Sequence, residues 1–441
     1  MMEKGSMRHE SLIMACSSDM AGQVRGKAFR ARDFDKRCAQ GVGWCPAQAA
    51  MTAFDVIVDN PFGSVGDILL MPDPATRVAV DFGTDDPGEH FVLCDLTYTD
   101  GRPWECCLRG FLKKALATLE AETGLAVKVG LEHEFHLTIP DAAPGRGYHL
   151  RSFRAAVSYA EELVAALGLA GIQIDLIHPE YGTSQYEVST APTDALTAAD
   201  HAVVLRELTY AVAARRGEQV TFAPVVPGMA VGNGVHAHLS LLDGNGQPVM
   251  YDPNGPASLS ETAGRFSAGL LRHLPALCAF TAASAVSYQR LVPHRWSATY
   301  NNLALHDREA GMRIGAIRET DDMAAQLNVE YRPADAAASP YLLLGAVIMA
   351  GLQGMRDRLP RPQPTEGDLT TLGEAQLNAL GVRRLPTSLG EALDALEADQ
   401  VAQSWFPPLL LEVYLRHKRG ELQQLDGSSE DEQIDRYARA Y

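Results

Sequence analysis

The stretch "KVGLEHEFHLTIP", residues 128–140, decides how the rest of the chain is read. It is an apolar, β-prone run that contains two glutamates, Glu132 and Glu134. Successive strand side chains alternate between faces, so these two point the same way, roughly 7 Å apart. Carboxylates that close and out of water repel each other and are costly to ionise. Either the pair lies on the surface or something positive sits between them.

The surrounding composition narrows the choice. A chain of 441 residues is long for one ordinary core and is expected to form two domains or one large one. Its 46% hydrophobic and 21% charged residues are those of a globular protein. A net charge of −17 argues against nucleic acid or an anionic membrane as partner, since both need a basic surface. Seven cysteines, Cys16, Cys38, Cys45, Cys94, Cys106, Cys107 and Cys278, include no Cys-x-x-Cys pair and read as reduced thiols. The first residues lack the long apolar core of a secretory signal. The longest apolar run, Tyr341 to Leu352, is too short for the ~20 residues that cross a bilayer and reads as a buried helix. The expectation is a cytoplasmic protein.

Along the chain, residues 1–15 read as a disordered lead-in. Residues 16–105 carry short strand-like runs, "AFDVIVD", "VGDILLMPD", "RVAVDF" and "HFVLCDLTY", separated by Gly, Pro and Asp turns. Phe111, Leu112, Ala115, Leu116 and Leu119 recur at helical spacing within 106–124. Further helices are expected over 151–168, about 194–216, 258–290, 340–357 and in the charged tail from about 388. "AGIQIDLIHPEYGTSQYEVST" (170–190) reads as strand, loop, strand, and "VTFAPVV" and "GVHAHLSLLD" read as strands. The Pro- and Gly-rich residues 359–388 read as a surface excursion. Strands and helices do not alternate regularly. The fold class is therefore α+β, divided into 16–105 and 106–441.

The strand-like segments keep bringing acids and histidines forward. Glu180 and Glu187 flank the loop "EYGTSQYE"; His236 and His238 share a face in "GVHAHLS"; Glu330 and Arg332 share one in "NVEYRP". Alone, each is more often a polar strand face. Together with Glu132 and Glu134 they form an oxygen-rich set with histidine and no cysteine, which suits Mg²⁺ or Mn²⁺ better than zinc. Arg290, Arg308, Arg313, Arg318 and Arg332 follow, and arginine binds carboxylate and phosphate bidentately. Nucleotide motifs are missing: no Gly-x-Gly-x-x-Gly follows a strand, and "GQVRGKA" (22–28) fails the spacing of a P-loop.

In their order, "GLEHEFHL", "HPEYGTSQYEV", "GNGVHAHLSL", "SYQRLVP", "DREAGMRIG" and "VEYRPADAAASPYL" resemble the motifs of the glutamine synthetase family, and the resemblance spans about 19–441. It implies an N-terminal β-grasp domain and a catalytic domain on a curved antiparallel sheet. It also implies ring assembly, commonly a dodecamer of two stacked hexamers. Carried over by position, Glu134, Glu180 and Glu187 would hold one metal, and Glu132, His236 and Glu330 another. Two or three Mg²⁺ or Mn²⁺ ions per site are implied. Arg290 and Arg332 would bind glutamate and the transferring phosphoryl group, with Arg313 assisting catalysis. Gly232, Gly234 and His236 would border the substrate. His238, Ser240, Arg308 and Arg313 would contact ATP. Cations between Glu132 and Glu134 would remove the repulsion noted above.

The resemblance also has gaps. Where the family carries a flap glutamate that helps hold ammonium, this chain has Trp296, in "RLVPHRWSATY". Tryptophan cannot balance an ammonium charge, but it offers an apolar wall or a cation–π face. The family's ammonium-deprotonating Asp has no clear counterpart, Asp55 and Asp59 being the nearest candidates. Val231 stands where the family has Asn, with Asn233 two residues on, and Val225 where it has Lys. The phosphoryl-transfer half is therefore kept and the ammonia half is not. The expected activity is an ATP-dependent ligase joining the γ-carboxylate of L-glutamate to an organic amine (alkyl-, hydroxyalkyl- or arylamine). Trp296 favours an apolar or aromatic amine, and a polyamine would need acids in the pocket that the sequence does not locate. The alternatives are a glutamine synthetase using ammonia and a catalytically silent, ring-forming relative.

Overall fold

Two sheets organise the chain. The computed structural model describes residues 10–83, 87–229, 231–319 and 322–441. The first sheet contains β1 (Leu12–Ser18), β2 (Val24–Arg30), β3 (Val42–Trp44), β4 (Ile68–Pro72), β5 (Val78–Val80) and β6 (Glu89–Tyr98). Its order is β2-β1-β6-β4-β3, with β5 also on β6, and β1 runs parallel to β6. The second contains β7 (Ala126–Thr138), β8 (Ile174–Pro179), β9 (Gln185–Thr190), β10 (Thr193–Asp194), β11 (Gln219–Thr221), β12 (Val235–Leu242), β13 (Tyr300–Leu305), β14 (Ala310–Ile314) and β15 (Val329–Tyr331). Its order is β13-β14-β15-β12-β7-β9-β8, with β10 and β11 on the two ends of β7. All its pairings are antiparallel except β13 with β14.

Several local readings need correction. Residues 1–9 of the expected lead-in lie outside the described residues, and residues 12–15 belong to β1. "AFDVIVD" (53–59) is no strand. The Asp55 amide donates to Thr52 O and the Thr52 amide to Val56 O, closing a turn through a left-handed Asp55. Only an isolated bridge between Met51 and Ile57 remains. β-branched residues there satisfy the propensity of a strand but find no partner strand. "VTFAPVV" is strand only over Gln219–Thr221, since the prolines at 224 and 227 remove donors.

The helices form the core behind the larger sheet. Leu108–Thr123 buries Phe111, Leu112, Ala115 and Leu119 on one face, as their spacing dictates. The apolar run Tyr341–Leu352 lies within the helix Pro340–Arg356 and is buried throughout. That helix crosses Glu261–Thr281 at contact distance. A Cβ on Gly269 would lie 2.1 Å from Ala350 O and 2.8 Å from Gly354 Cα, so no larger residue fits the crossing.

One buried arginine ties the first sheet to the helices behind the larger one. Arg109, 4% exposed, donates to both carboxylate oxygens of Asp200, at 2.9 and 2.8 Å. It also reaches Asp73 at 2.9 Å and Asp95 at 3.0 Å, just after β4 and within β6. Tyr341 completes the node by donating to Asp200 at 2.6 Å. All seven cysteines are free. Among the described residues, no helix is long and apolar enough to cross a membrane.

Candidate active site

Register in the larger sheet assembles the site. Glu134 faces Glu187 across β7 and β9, and Glu132 faces His236 across β7 and β12. His238 faces Glu330 across β12 and β15, and Glu330 faces Arg313 across β15 and β14. Strand alternation then puts this whole row on one face.

The carboxylates are held by hydrogen bonds from several elements. Glu134 accepts from the Gly234 amide at 2.6 Å and from Gln185 Nε2 at 3.3 Å. Glu180 accepts from Tyr148 Oη at 2.8 Å and the Tyr181 amide at 2.7 Å, with His178 Nε2 3.1 Å away. Glu187 is buried and accepts from Ser189 Oγ at 3.1 Å. His236 Nδ1 and His238 Nε2 each lie 3.0 Å from a Glu132 oxygen.

Burial and crowding shift these groups in opposite directions. Burial, followed by the charges of Glu132, Glu134 and Glu180, pushes the Glu187 carboxyl up to about 9. Burial also works on Glu132, but hydrogen bonds from His236 and His238 outweigh it and hold that carboxyl well below its usual range. Burial opposes ionisation of Glu330 too, and Arg332, His236, His238 and Arg313 together bring it down to about 2. Three groups of donor atoms each fall within 4.8 Å of one another: Glu132, His236 and Glu330; Glu134, Glu187 and His236; His178, Glu180 and Glu187. An oxygen-rich donor set around a carboxyl pushed up by three like charges fits hard divalent cations, which relieve that repulsion.

Arginines form the opposite wall. Arg290 is 3% exposed, and its Nη2 donates to Pro333 O at 2.6 Å and Ala334 O at 2.7 Å. No residue larger than glycine fits at 232, where a Cβ would lie 2.7 Å from Arg290 Cγ and 2.2 Å from Pro224 O. Arg332 and Arg313 both pair with Glu330. Arg332 also donates to Arg308 O at 3.0 Å and Trp296 O at 3.2 Å. Behind Arg290, burial pushes the Asp335 carboxyl up to about 6 against the pull of that arginine.

A cleft of about 250 Å³ lies between the acidic floor and the arginine wall. Of the residues singled out from the sequence, Glu132, Glu134, Glu180, Glu187, Gly232 and His236 line it, as do Arg290, Trp296, Arg308, Arg313 and Arg332. Glu330, Gly234 and His238 stand directly behind that lining through the contacts above. Ser240 lies further along β12, outside the lining, and Arg318 is exposed away from it. Asp55 and Asp59 do not line the cleft and pair instead with Arg25 and Arg416, at 2.6 and 2.5 Å. Sequence reasoning missed His178, Tyr148, Tyr181, Gln185 and Arg295, all of which line the cleft. His178 was legible, since it stands near the end of β8 only two residues before Glu180, and its Nε2 lies 3.1 Å from that carboxylate.

An acidic floor beneath an arginine wall is an arrangement suited to an anionic ligand held together with divalent cations. The profile of the glutamine synthetase catalytic domain matches residues 105–437, and that of the glutamine synthetase N-terminal domain matches 1–104. The chain belongs to the glutamine synthetase family. It is 34% identical over 429 residues to the γ-glutamylpolyamine synthetase GlnA3 of Streptomyces coelicolor, covering 94% of this chain and 90% of the relative. It is 30% identical to the glutamine synthetase of Halobacterium salinarum, covering 95% of this chain and 92% of the relative. Among solved structures, a novel glutamine synthase homolog superposes with a TM-score of 0.90 at 39% identity, over 99% of this chain and 100% of the homolog. Ligand-free GmaS superposes with a TM-score of 0.81 at 25% identity, over 95% and 94% of the two chains. The family is one of ligases that use ATP and divalent metals.

Proposed function

We propose that the protein is an ATP-dependent ligase that joins the γ-carboxylate of L-glutamate to an organic amine. One observation carries this reading. Carboxylates, a histidine and arginines converge on one cleft that Trp296 also lines, and by the sequence resemblance Trp296 takes the place of the family's flap glutamate. Similarity to a γ-glutamylpolyamine synthetase along nearly the whole chain supports it.

In this reading Arg290 and Gly232 border bound glutamate. Arg313 and Arg332 face the phosphoryl group as it passes from ATP to a γ-carboxylate oxygen, releasing ADP. His238, Ser240 and Arg308 serve the nucleotide. Glu132, His236 and Glu330 would hold one Mg²⁺ or Mn²⁺, and Glu134, Glu180 and Glu187 another, with His178 and His236 in reach of the second; such ions neutralise charge on the phosphoryl oxygens. The neutral amine then attacks the acyl carbon, the carbon–oxygen bond to phosphate breaks, and in the net step the nitrogen's proton leaves on the departing phosphate. Self-association into a ring, a dodecamer in this reading, is supported by exposed Leu12, Met14, Val56, Ile57 and Val65 in the N-terminal part. The cytoplasm is supported by seven free cysteines.

A polyamine acceptor is the second reading. The loop carrying Trp296 also contributes His294 and Thr299 to a neighbouring cavity of about 590 Å³, bordered by Asp307, Glu309, Glu366 and Asp368. These are acids near the acceptor side that the sequence alone did not locate. The test is phosphate release from Mg-ATP and L-glutamate, with ammonium compared against alkyl-, hydroxyalkyl-, aryl- and polyamines. Faster turnover with ammonium than with every amine would overturn the organic-amine reading in favour of glutamine synthesis.

A further inference from the structure

Two large aromatic side chains stand open at the mouth of the cleft. Tyr181 is 54% exposed and Trp296 is 51% exposed, and both line it. Their rings stack on each other, 5.8 Å between centroids and 19° between planes. The pair joins two separate loops: Tyr181 follows β8, and Trp296 precedes β13. Each backbone is fixed independently. The Tyr181 amide donates to Glu180 at 2.7 Å. The Trp296 amide donates to Glu309 at 3.2 Å, and Trp296 O accepts from Arg332 at 3.2 Å. Trp296 holds a left-handed backbone, φ 58, that tryptophan rarely adopts. Half-exposed rings on fixed backbones leave apolar surface at the cleft, and covering such surface is favourable.

We propose that Tyr181 is a specificity-determining residue, and that its ring and that of Trp296 form one aromatic wall against which the carbon substituent of the acceptor amine lies. This rests on the amine-ligase reading and adds to it a second residue and a chemical class. The acceptor is a primary amine whose alkyl or arylalkyl group is long or flat enough to reach both rings. Ammonium has no such group and gains nothing from the wall. An alkylene diamine shares the carbon chain, and its distal ammonium can lie over a ring face.

The test compares kcat/KM for ammonium, methylamine, n-butylamine, benzylamine and 1,4-diaminobutane across wild type, Tyr181→Ala, Tyr181→Phe, Trp296→Ala and the double alanine variant. The read quantity is the ratio of kcat/KM for the best larger amine to that for methylamine. The proposal expects Tyr181→Ala to lower this ratio about 10- to 100-fold, the range of apolar discrimination in a pocket. Tyr181→Phe, which keeps the ring and the backbone, retains the ratio. The double variant loses less than the product of the two single losses, because either deletion breaks the same wall. A ratio unchanged in Tyr181→Ala overturns the proposal. So does an equal loss for all amines, which would mean that Tyr181 acts only through its neighbour Glu180. Wild type that favours ammonium over every amine overturns the underlying organic-amine reading instead, and that result is visible before any variant is made.

Discussion

Replacing Arg109 with methionine should destabilise the protein more than any single surface ion pair could. Methionine fills similar length but leaves Asp200, Asp73 and Asp95 without their shared cation. Their side chains are 11%, 27% and 31% exposed, so solvent screens the last two and most of the cost falls on Asp200. Asp95 also keeps Lys113 at 2.6 Å, and Asp200 keeps the Tyr341 hydroxyl. Breaking a buried pair by removing one partner costs about 3–5 kcal/mol. An unfolding entropy of about 2.1 cal/mol/K per residue amounts to roughly 0.9 kcal/mol/K over this chain. The expected fall in Tm is therefore about 3–5 °C, read by calorimetry at fixed protein concentration. Arg109→Met with Asp200→Asn should be less destabilised than Arg109→Met alone, since the stranded charge is gone while Tyr341 still has an acceptor. A fall under about 1 °C for Arg109→Met, or a further fall in the double variant, would refute the reasoning.

Three other outcomes are expected. Mg²⁺ at 100 times its Kd should stabilise the protein by about 2.7 kcal/mol, and Glu187→Gln should weaken that response in thermal melts with and without EDTA. On the proposed role of Arg332 toward the transferring phosphoryl group, Arg332→Ala should reduce phosphate release by at least about 100-fold while the mass read by light scattering stays that of the wild type. Stability should also fall below neutral pH. Burial, helped by Lys418 beside it, brings His417 down to about 4, so it is neutral in the fold and charged in the unfolded chain. Its contribution is complete above about pH 6.5 and is lost as pH falls through 4, up to about 3 kcal/mol in all. Urea midpoints from pH 7.5 to 5 should drop less steeply in His417→Gln.

Three pairs in the site were legible through strand alternation alone. Glu132 with Glu134, His236 with His238, and Glu330 with Arg332 are each two residues apart, so the face they share follows from the pleat alone. What brings them together, the register of Glu134 on Glu187 and Glu132 on His236, is a long-range pairing that period-2 patterns do not encode. Tyr148 and Tyr181 were missed because they sit in loops, where direction depends on turns and capping contacts. The Arg109 node was invisible for a related reason, since Asp200 is 91 residues away. "AFDVIVD" was misread because β-propensity without a partner strand does not make a strand.

The most direct test of the central claim is the product itself. The enzyme is incubated with Mg-ATP, L-glutamate, and equal concentrations of ammonium and the amine panel, and the γ-glutamyl products are separated by mass spectrometry. The account predicts that a γ-glutamyl amide of an organic amine predominates over glutamine. Glutamine as the main product, with every amine left unused, would contradict it.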